Sequence, residues 1–219
     1  HDIELAEAFV ESGAEPRDAV EILEIERQGR GGAARRLDLV VELLEAADIA
    51  RERHDRHRNL FVAATGTGKT VVSALDYAAL CEKHGKRLSL LFVAHRREIL
   101  EQARRTFRHA LQDANFGEIL DGSSKPKGEH VFAMIQTLRG PRINALPKDQ
   151  YEVVVVDEFH HAAASSYIQL LEHVEPIELV GMTATPFRAD GRDITCWFEG
   201  RIAYELPLVL SAAGVVMLA

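Results

Sequence analysis

A glycine-rich segment at residues 63–70 has the sequence AATGTGKT, whose residue types are those that bind a polyphosphate. An apolar run precedes this segment and a helical pattern follows it, so we expect a turn between a strand and a helix. Such a turn directs several backbone N–H groups and a helix N-terminus towards one point, where phosphate oxygens accept their hydrogen bonds. Lys69 is predicted to reach the β- and γ-phosphates, and the hydroxyl of Thr70 to ligate Mg2+. The predicted nucleotide-binding residues are Thr65, Gly66, Thr67, Gly68, Lys69 and Thr70.

Two adjacent carboxylates, Asp157 and Glu158, follow the apolar run VVVV at residues 153–156. Ligands of open α/β sheets bind at the carboxyl ends of the strands, so we expect both acids to face the glycine-rich segment. Asp157 is predicted to hold Mg2+, and Glu158 to orient or deprotonate an attacking water. His160 is a further catalytic candidate, expected to hydrogen-bond a neighbouring motif. A two-histidine metal site with His161 is not expected, because adjacent side chains project differently.

A third polar segment, GMTATPFR at residues 181–188, follows the apolar run IELV. Thr183 and Thr185 place two hydroxyls at the end of this run, where they can sense the state of a bound nucleotide through hydrogen bonds. Taken alone, Thr-Ala-Thr-Pro is an ordinary strand end closed by proline. The coupling role predicted for these two threonines therefore depends on the neighbouring motifs.

The elements that must position these segments are short apolar runs without polar alternation, separated by helical stretches. Strands of this kind are covered on both faces, which predicts a central parallel sheet flanked by helices. We interpret residues 59–219 as one such α/β domain and residues 1–58 as a small helical accessory segment. The final run, residues 206–219, is interpreted as a helix and strand stub leading towards a further domain.

Composition limits the class of protein. The chain has 219 residues, 26 Lys and Arg against 34 Asp and Glu, and a formal net charge of -8, so a surface built wholly for nucleic acid is not expected. Two cysteines without metal-ligand spacing favour a reduced, intracellular protein. No apolar run approaches the ~20 residues of a membrane span. These observations predict a cytoplasmic protein without a membrane partner.

Together, the three motifs resemble the first RecA-like P-loop domain of superfamily 2 helicases of the DExH type. More narrowly, AATGTGKTVVSALDY, VVVVDEFHHA and GMTATPFRADG are similar to bacterial helicases with a restriction-endonuclease-III-like helicase domain. The resemblance covers about residues 59–206. It implies ATP and Mg2+ as cofactors, a nucleic-acid partner with DNA favoured over RNA, and a second RecA-like domain as partner.

The resemblance also assigns two segments to nucleic-acid binding. VAHRREIL at residues 93–100 is similar to the family's motif Ia, and MIQTLRG at residues 134–140 to its motif Ib. Polar side chains that follow strands in this way suit contacts with a sugar-phosphate backbone. By itself, the arginine-rich run that begins here is more typical of a solvated helix face. The residues implied in nucleic-acid binding are Arg96, Arg97, Gln136 and Thr137.

The hypothesis favoured by these patterns is the ATP-binding motor domain of a DNA helicase or translocase. In such a protein Mg-ATP hydrolysis drives movement along nucleic acid, and the isolated domain is expected to be weakly active or inactive. No motif of a second RecA-like domain is found, and Gln28 does not resemble the glutamine with which many relatives read adenine. One alternative is a non-catalytic, ATP-dependent module that binds nucleic acid or a partner. A small-molecule kinase is disfavoured by the DEFH and TATP segments.

Overall fold

The computed structural model describes residues 57–63, 67–120, 128–159, 165–185, 194–205, 208–211 and 214–217, together with Leu44, Ala47 and Asp55. Its helices are α1 (Lys69–His84), α2 (Arg97–Ala110), α3 (Pro141–Asn144) and α4 (Ser165–His173), with 3-10 turns at Ile135–Thr137 and Thr195–Phe198. Its strands are β1 (Arg58–Val62), β2 (Leu90–Ala94), β3 (Glu118–Leu120), β4 (His130–Met134), β5 (Val153–Val156), β6 (Glu178–Thr183), β7 (Tyr204–Glu205), β8 (Leu208–Ser211) and β9 (Gly214–Met217).

The first seven strands form one sheet in the order β3-β4-β2-β5-β6-β1-β7, with every neighbouring pair parallel. Each residue of β2, β5 and β6 is buried, as expected for strands with helices on both faces. The predicted α/β fold with a central parallel sheet is therefore confirmed. The apolar runs that precede the three polar segments form β1, β5 and β6, and the helix expected after the glycine-rich segment is present as α1.

The strand order determines which segments meet at the carboxyl edge of the sheet. β6 lies between β1 and β5, although it follows both of them in the chain. In the register of these pairs, Val62 of β1 is level with Thr183, and Val156 of β5 is level with Gly181. β1 and β6 therefore end at the same level and β5 ends two residues earlier, and the segments that follow all three strands leave from one edge of the sheet.

Two apolar clusters cover the two faces of the sheet. One includes Leu75 and Tyr77 of α1 with Phe107 of α2, and the other includes Leu170 and Leu171 of α4. Close packing on the second face requires a glycine in β6. A Cβ built on Gly181 would lie 2.4 Å from Phe198 Cζ and 3.1 Å from Leu60 Cδ1, closer than carbon atoms approach in a folded core.

The structure departs from the sequence-based expectations at its margins. The strands β3 and β7, at the two edges of the sheet, were not predicted. The prediction of a helix within residues 206–219 is wrong, because β8 and β9 pair there as antiparallel strands. Both strands are rich in Val and Leu and are joined by two residues, a pattern that favours a hairpin over a helix.

Most of the predicted accessory segment, residues 1–58, lies outside the described residues. Within it, Leu44 and Ala47 have helical backbone and are buried in the cluster that contains α1. No helix among the described residues is long and apolar enough to cross a membrane.

Candidate nucleotide-binding site

The glycine-rich segment leads directly from β1 into α1. Gly68 has φ 90° and ψ 14°, a left-handed conformation that glycine adopts without steric cost, and α1 begins at the next residue. The first intrahelical hydrogen bond runs from the amide of Val72 to the carbonyl of Gly68, at 3.0 Å. The N-terminus of this 16-residue helix therefore opens at the carboxyl edge of the sheet. Its first N–H groups and its dipole favour an anion at that point.

Lys69 is buried, and its side chain connects the end of the glycine-rich segment to the start of the same segment. Its Nζ donates a hydrogen bond of 2.6 Å to the carbonyl oxygen of Ala63, the residue that follows β1. A cation in the first turn has the unfavourable sign for the helix dipole, whereas Lys83 and His84 in the last turn have the favourable one. Lys69 thus opposes helix stability, and its position indicates a role in binding a negatively charged group.

The acidic pair lies at the end of β5. The amide of Asp157 donates to the carbonyl of Val93 at 2.9 Å, and Asp157 Oδ1 accepts a hydrogen bond from the amide of Glu158. Glu158 has φ 53°, a left-handed conformation that costs a non-glycine residue about 1–2 kcal/mol. Gln112 and Glu199 also have positive φ, but both lie at helix ends, where this is usual. Backbone strain directly after a strand is typical of a functional site.

The sheet brings the glycine-rich segment and the acidic pair to one edge. They leave β1 and β5, which are separated only by β6, so the two strand ends lie about 10 Å apart across the sheet. The third predicted segment ends β6 between them. Thr183 is fully buried, and its hydroxyl donates to the carbonyl of Thr185 while accepting from the amide of Thr185. These two hydrogen bonds hold the turn that follows β6.

The residues at this edge suit a magnesium-nucleotide. A helix N-terminus and a buried ammonium group complement phosphate oxygens, and the buried carboxylate of Asp157 is a hard oxygen ligand of the kind Mg2+ prefers. Thr70, the second residue of α1, is half-buried beside Lys69. In this arrangement Lys69 would contact the phosphates, and Thr70 and Asp157 would hold the metal. Mg2+ bound there would neutralise charge that develops on the phosphate oxygens.

A second set of predicted residues lies at the same edge, beyond β5. β2 and β4 are neighbours, and Gln136, just after β4, donates from Nε2 to the carbonyl of His95, just after β2, at 3.1 Å. The structure therefore brings together the two segments expected to bind nucleic acid. Arg96, Arg97 and Gln136 are exposed, whereas Thr137 is half-buried and its hydroxyl donates to the carbonyl of Met134.

The arginines further along α2 have structural contacts. Arg105 donates from Nε to the carbonyl of Glu101, and Arg108 donates to the carbonyls of Phe116 and Gly117. Arg97 forms an exposed ion pair with Glu101 at 2.9 Å. The exposed guanidinium of Arg96, at the start of α2, is the one best placed to meet a phosphate backbone.

Three predicted site residues, Thr65, Gly66 and His160, lie outside the described residues. One residue that the sequence did not single out, Tyr167, lies near the acidic pair. It stands in an apolar stripe with Leu170, Leu171 and Val174, so its spacing indicates only a core position. His57 is exposed at the surface, and its Nδ1 is 2.6 Å from the buried carboxylate of Glu178.

The fold and these contacts define a class of protein. It is the RecA-like P-loop domain, in which a helix N-terminus and a carboxylate pair share the carboxyl edge of a parallel sheet. The model of the family described as "Type III restriction enzyme, res subunit" matches residues 26–188, well over half of the chain. The chain belongs to this family, a helicase-like domain of superfamily 2. The match begins upstream of the region where the motifs resemble helicases, within the predicted accessory segment.

Individual relatives agree with this assignment. Over 146 residues the chain is 30% identical to "Putative mitochondrial ATP-dependent helicase irc3" of Schizosaccharomyces pombe, an alignment that covers 62% of this chain and 24% of that protein. A solved fragment described as a "putative HsdR subunit of a type I restriction enzyme" from Vibrio vulnificus YJ016 is 27% identical, with a TM-score of 0.56 over 76% of this chain and 29% of that one. The type ISP restriction-modification enzyme LlaGI shares the fold, at 17% identity and a TM-score of 0.59 over 77% of this chain and 19% of that one.

These alignments span less than a third of the relatives' own length. The chain covers 24% of the yeast helicase, 29% of the HsdR fragment and 19% of LlaGI. The name of the yeast protein places that relative in mitochondria, so the cytoplasmic localisation expected for this chain stays a prediction.

Proposed function

We propose that this chain binds Mg-ATP and a nucleic-acid strand as the first motor domain of a superfamily 2 DNA helicase or translocase. In the proposed protein, ATP hydrolysis at the interface with a second RecA-like domain drives movement along DNA. DNA is proposed rather than RNA because the matched family is described as a restriction enzyme.

The observation that carries this proposal is the shared edge of β1, β6 and β5. Lys69 binds the carbonyl of the residue that follows β1, Asp157 follows β5, and the hydrogen-bonded turn of Thr183 ends β6 between them. A group suited to phosphate and a group suited to a metal, separated by a single strand, are what phosphoryl transfer requires, since catalysis there is mainly positioning and electrostatic stabilisation. Glu158, next to Asp157, supplies a carboxylate for orienting the attacking water.

The nucleic-acid part of the proposal depends on the edge formed by β2 and β4. The hydrogen bond between Gln136 and His95 joins the segments after these strands, and the exposed Arg96 adds a permanent positive charge. Contacts of this kind are made to phosphates, so the proposed binding is largely independent of base sequence. Both groups of residues lie at the carboxyl edge of the same sheet, and in the proposed motor this sheet connects nucleotide binding to nucleic-acid binding.

A non-catalytic module is the second candidate, and one assay separates the two. The binding of fluorescent ATP and the hydrolysis of ATP are both measured on the 219-residue chain, with and without single-stranded DNA. The proposal predicts Mg-dependent binding and DNA-stimulated hydrolysis. Turnover by these residues alone is expected to be ~1,000-fold or more below that of a complete motor, because another domain supplies the arginine that stabilises the leaving phosphate. Binding with no DNA-stimulated turnover, even at long incubation, favours the module.

The variants Lys69→Ala and Lys86→Ala provide a matched comparison. Both remove one ammonium group, but Lys86 is exposed and pairs with Glu152 at 2.6 Å, just before β5 at the opposite edge of the sheet. Lys69→Ala is expected to weaken ATP binding by about 10- to 100-fold, the effect of losing a charged hydrogen-bond donor. Lys86→Ala is expected to bind ATP normally. Equal ATP affinity in the two variants would remove the basis of the proposal.

A further inference from the structure

Tyr167 has a buried hydroxyl group without a hydrogen bond, which is rare in a protein core. It is 1% exposed, and its hydroxyl is buried with no hydrogen-bond partner. The other two fully buried tyrosines of the described residues have partners: Tyr77 donates to the carbonyl of Leu88 at 2.6 Å, and the Tyr151 hydroxyl accepts from Gln150. A buried hydroxyl without a partner is costly to retain, and phenylalanine would fill the same space without that cost.

The topology places this hydroxyl at the edge where the nucleotide site lies. The chain leaves the carboxyl end of β5 at Asp157, and α4 starts at Ser165, so Tyr167 lies in the first turn of the returning helix. Its ring belongs to the same apolar cluster as Val156 and Phe159, the residues on either side of the acidic pair. The hydroxyl is therefore buried in the core that lies beneath the acidic pair.

The electrostatic surroundings agree with this placement. Burial raises the pKa of Tyr167, and the carboxylates of Asp157 and Glu158 raise it further. The group is therefore a neutral hydroxyl at physiological pH and can donate a hydrogen bond. The two carboxylates that act on it can accept such a hydrogen bond.

We propose that Tyr167 is a positioning residue for the acidic pair, whose hydroxyl donates a hydrogen bond to one of the two carboxylates when Mg-ATP is bound. The inference rests on the proposed function. Glu158 has a strained backbone with φ 53°, and strain of this kind is typical of segments that rearrange when a ligand binds. The Tyr167 hydroxyl would then hold the rearranged carboxylate in place and so raise the affinity of the site for Mg2+.

The test compares Tyr167→Phe with Tyr77→Phe. Each variant of the 219-residue chain is titrated with Mg2+ at a fixed concentration of fluorescent ATP, and each is melted in the absence of nucleotide. Tyr167→Phe is expected to need about tenfold more Mg2+ for half-maximal binding, with nucleotide binding in EDTA unchanged and Tm unchanged or raised. Tyr77→Phe loses a satisfied hydrogen bond, so its Tm is expected to fall by about 3 °C with an unchanged Mg2+ requirement.

The outcomes separate this inference from the proposed function. If the wild-type chain responds to Mg2+ and Tyr167→Phe responds identically, the inference is overturned and the proposed function stands. A parallel loss of Tm and of nucleotide binding in EDTA assigns the hydroxyl to packing and also overturns it. If ATP binding by the wild-type chain does not depend on Mg2+, the proposed function fails, and the inference fails with it.

Discussion

The amide of Ala63 donates a hydrogen bond of 2.9 Å to the carbonyl of Thr183. This bond extends the pairing of β1 with β6 by one residue, into the start of the glycine-rich segment. Ala63 also accepts the hydrogen bond from Lys69 Nζ, so one residue connects Lys69 to the turn that ends β6. Two short hydrogen bonds thus join the first residue of α1 to Thr183.

Asp157→Asn tests the metal site. The substitution keeps the size of the side chain and removes its charge, so we expect Mg-dependent ATP binding to require at least tenfold more Mg2+ while binding in EDTA changes little. The measurement is a Mg2+ titration at fixed nucleotide concentration. Glu152→Gln is the matched control, since Glu152 precedes the same strand at its other end and binds Lys86 and Ser89. An unchanged Mg2+ requirement in Asp157→Asn contradicts the assignment.

The variants Glu158→Gly and Glu158→Ala distinguish the effect of backbone strain on stability from the role of the carboxylate in ATP hydrolysis. Both remove the carboxylate and should therefore lose ATP hydrolysis alike. Glycine accommodates φ 53° without steric cost, whereas alanine keeps the strain. We expect the free energy of unfolding of Glu158→Gly to exceed that of Glu158→Ala by about 1 kcal/mol, measured by urea denaturation. The reverse order of stability would show that the turn is not strained.

Arg96→Ala and Arg87→Ala test the nucleic-acid edge with equal changes of charge. Arg96 follows the carboxyl end of β2, whereas Arg87 precedes its amino end, where it lies 5.9 Å from the ring of Phe116. If Arg96 contacts one phosphate, its loss reduces the slope of log K against log salt by about 0.7 for single-stranded DNA. Arg87→Ala should leave the slope as in the wild type. Salt titrations of DNA binding distinguish a phosphate contact made by Arg96 from a general effect of the charge of the protein.

The pair His57 and Glu178 predicts a pH dependence of stability. The hydrogen bond from His57 to Glu178 raises the pKa of His57, burial lowers it, and Asp55 adds a further increase, leaving it above 6.5. The stabilisation is therefore fully present below about pH 6.5, the unfolded-state value, and is lost as the pH rises through the raised pKa of the folded state. We expect Tm of the wild type to fall over this window.

His57→Gln is the reference for that measurement. The Tm of His57→Gln should lack this component of the pH dependence. The difference in Tm between the wild type and His57→Gln should therefore shrink from pH 6 to pH 9. Because the pair lies at the amino end of β6, away from Lys69, ATP affinity should be the same in both proteins. A difference in Tm that is constant with pH would mean that protonation of His57 does not stabilise the fold.

The central part of this fold was predictable because its strands are buried on both faces. β2 and β5 consist of apolar residues only, and the rule that ligands bind at the carboxyl ends of parallel strands then brings Lys69 and Asp157 together. The edge strands β3 and β7 have three and two residues, and each pairs on one side only, so neither has an apolar signature. Tyr167 escaped notice because only three-dimensional packing reveals that its hydroxyl has no partner.

The position of β6 between β1 and β5 has a consequence for biosynthesis. Glu178–Thr183 emerges from the ribosome more than a hundred residues after β1, yet it must insert between β1 and β5, the strands that precede Lys69 and Asp157. Until it does so, β1 lacks its main neighbour in the sheet, and its apolar residues remain open to chaperones or to other nascent chains. The candidate nucleotide site is therefore complete only after β6 has inserted, and the proposed ATP binding would report that this step has taken place.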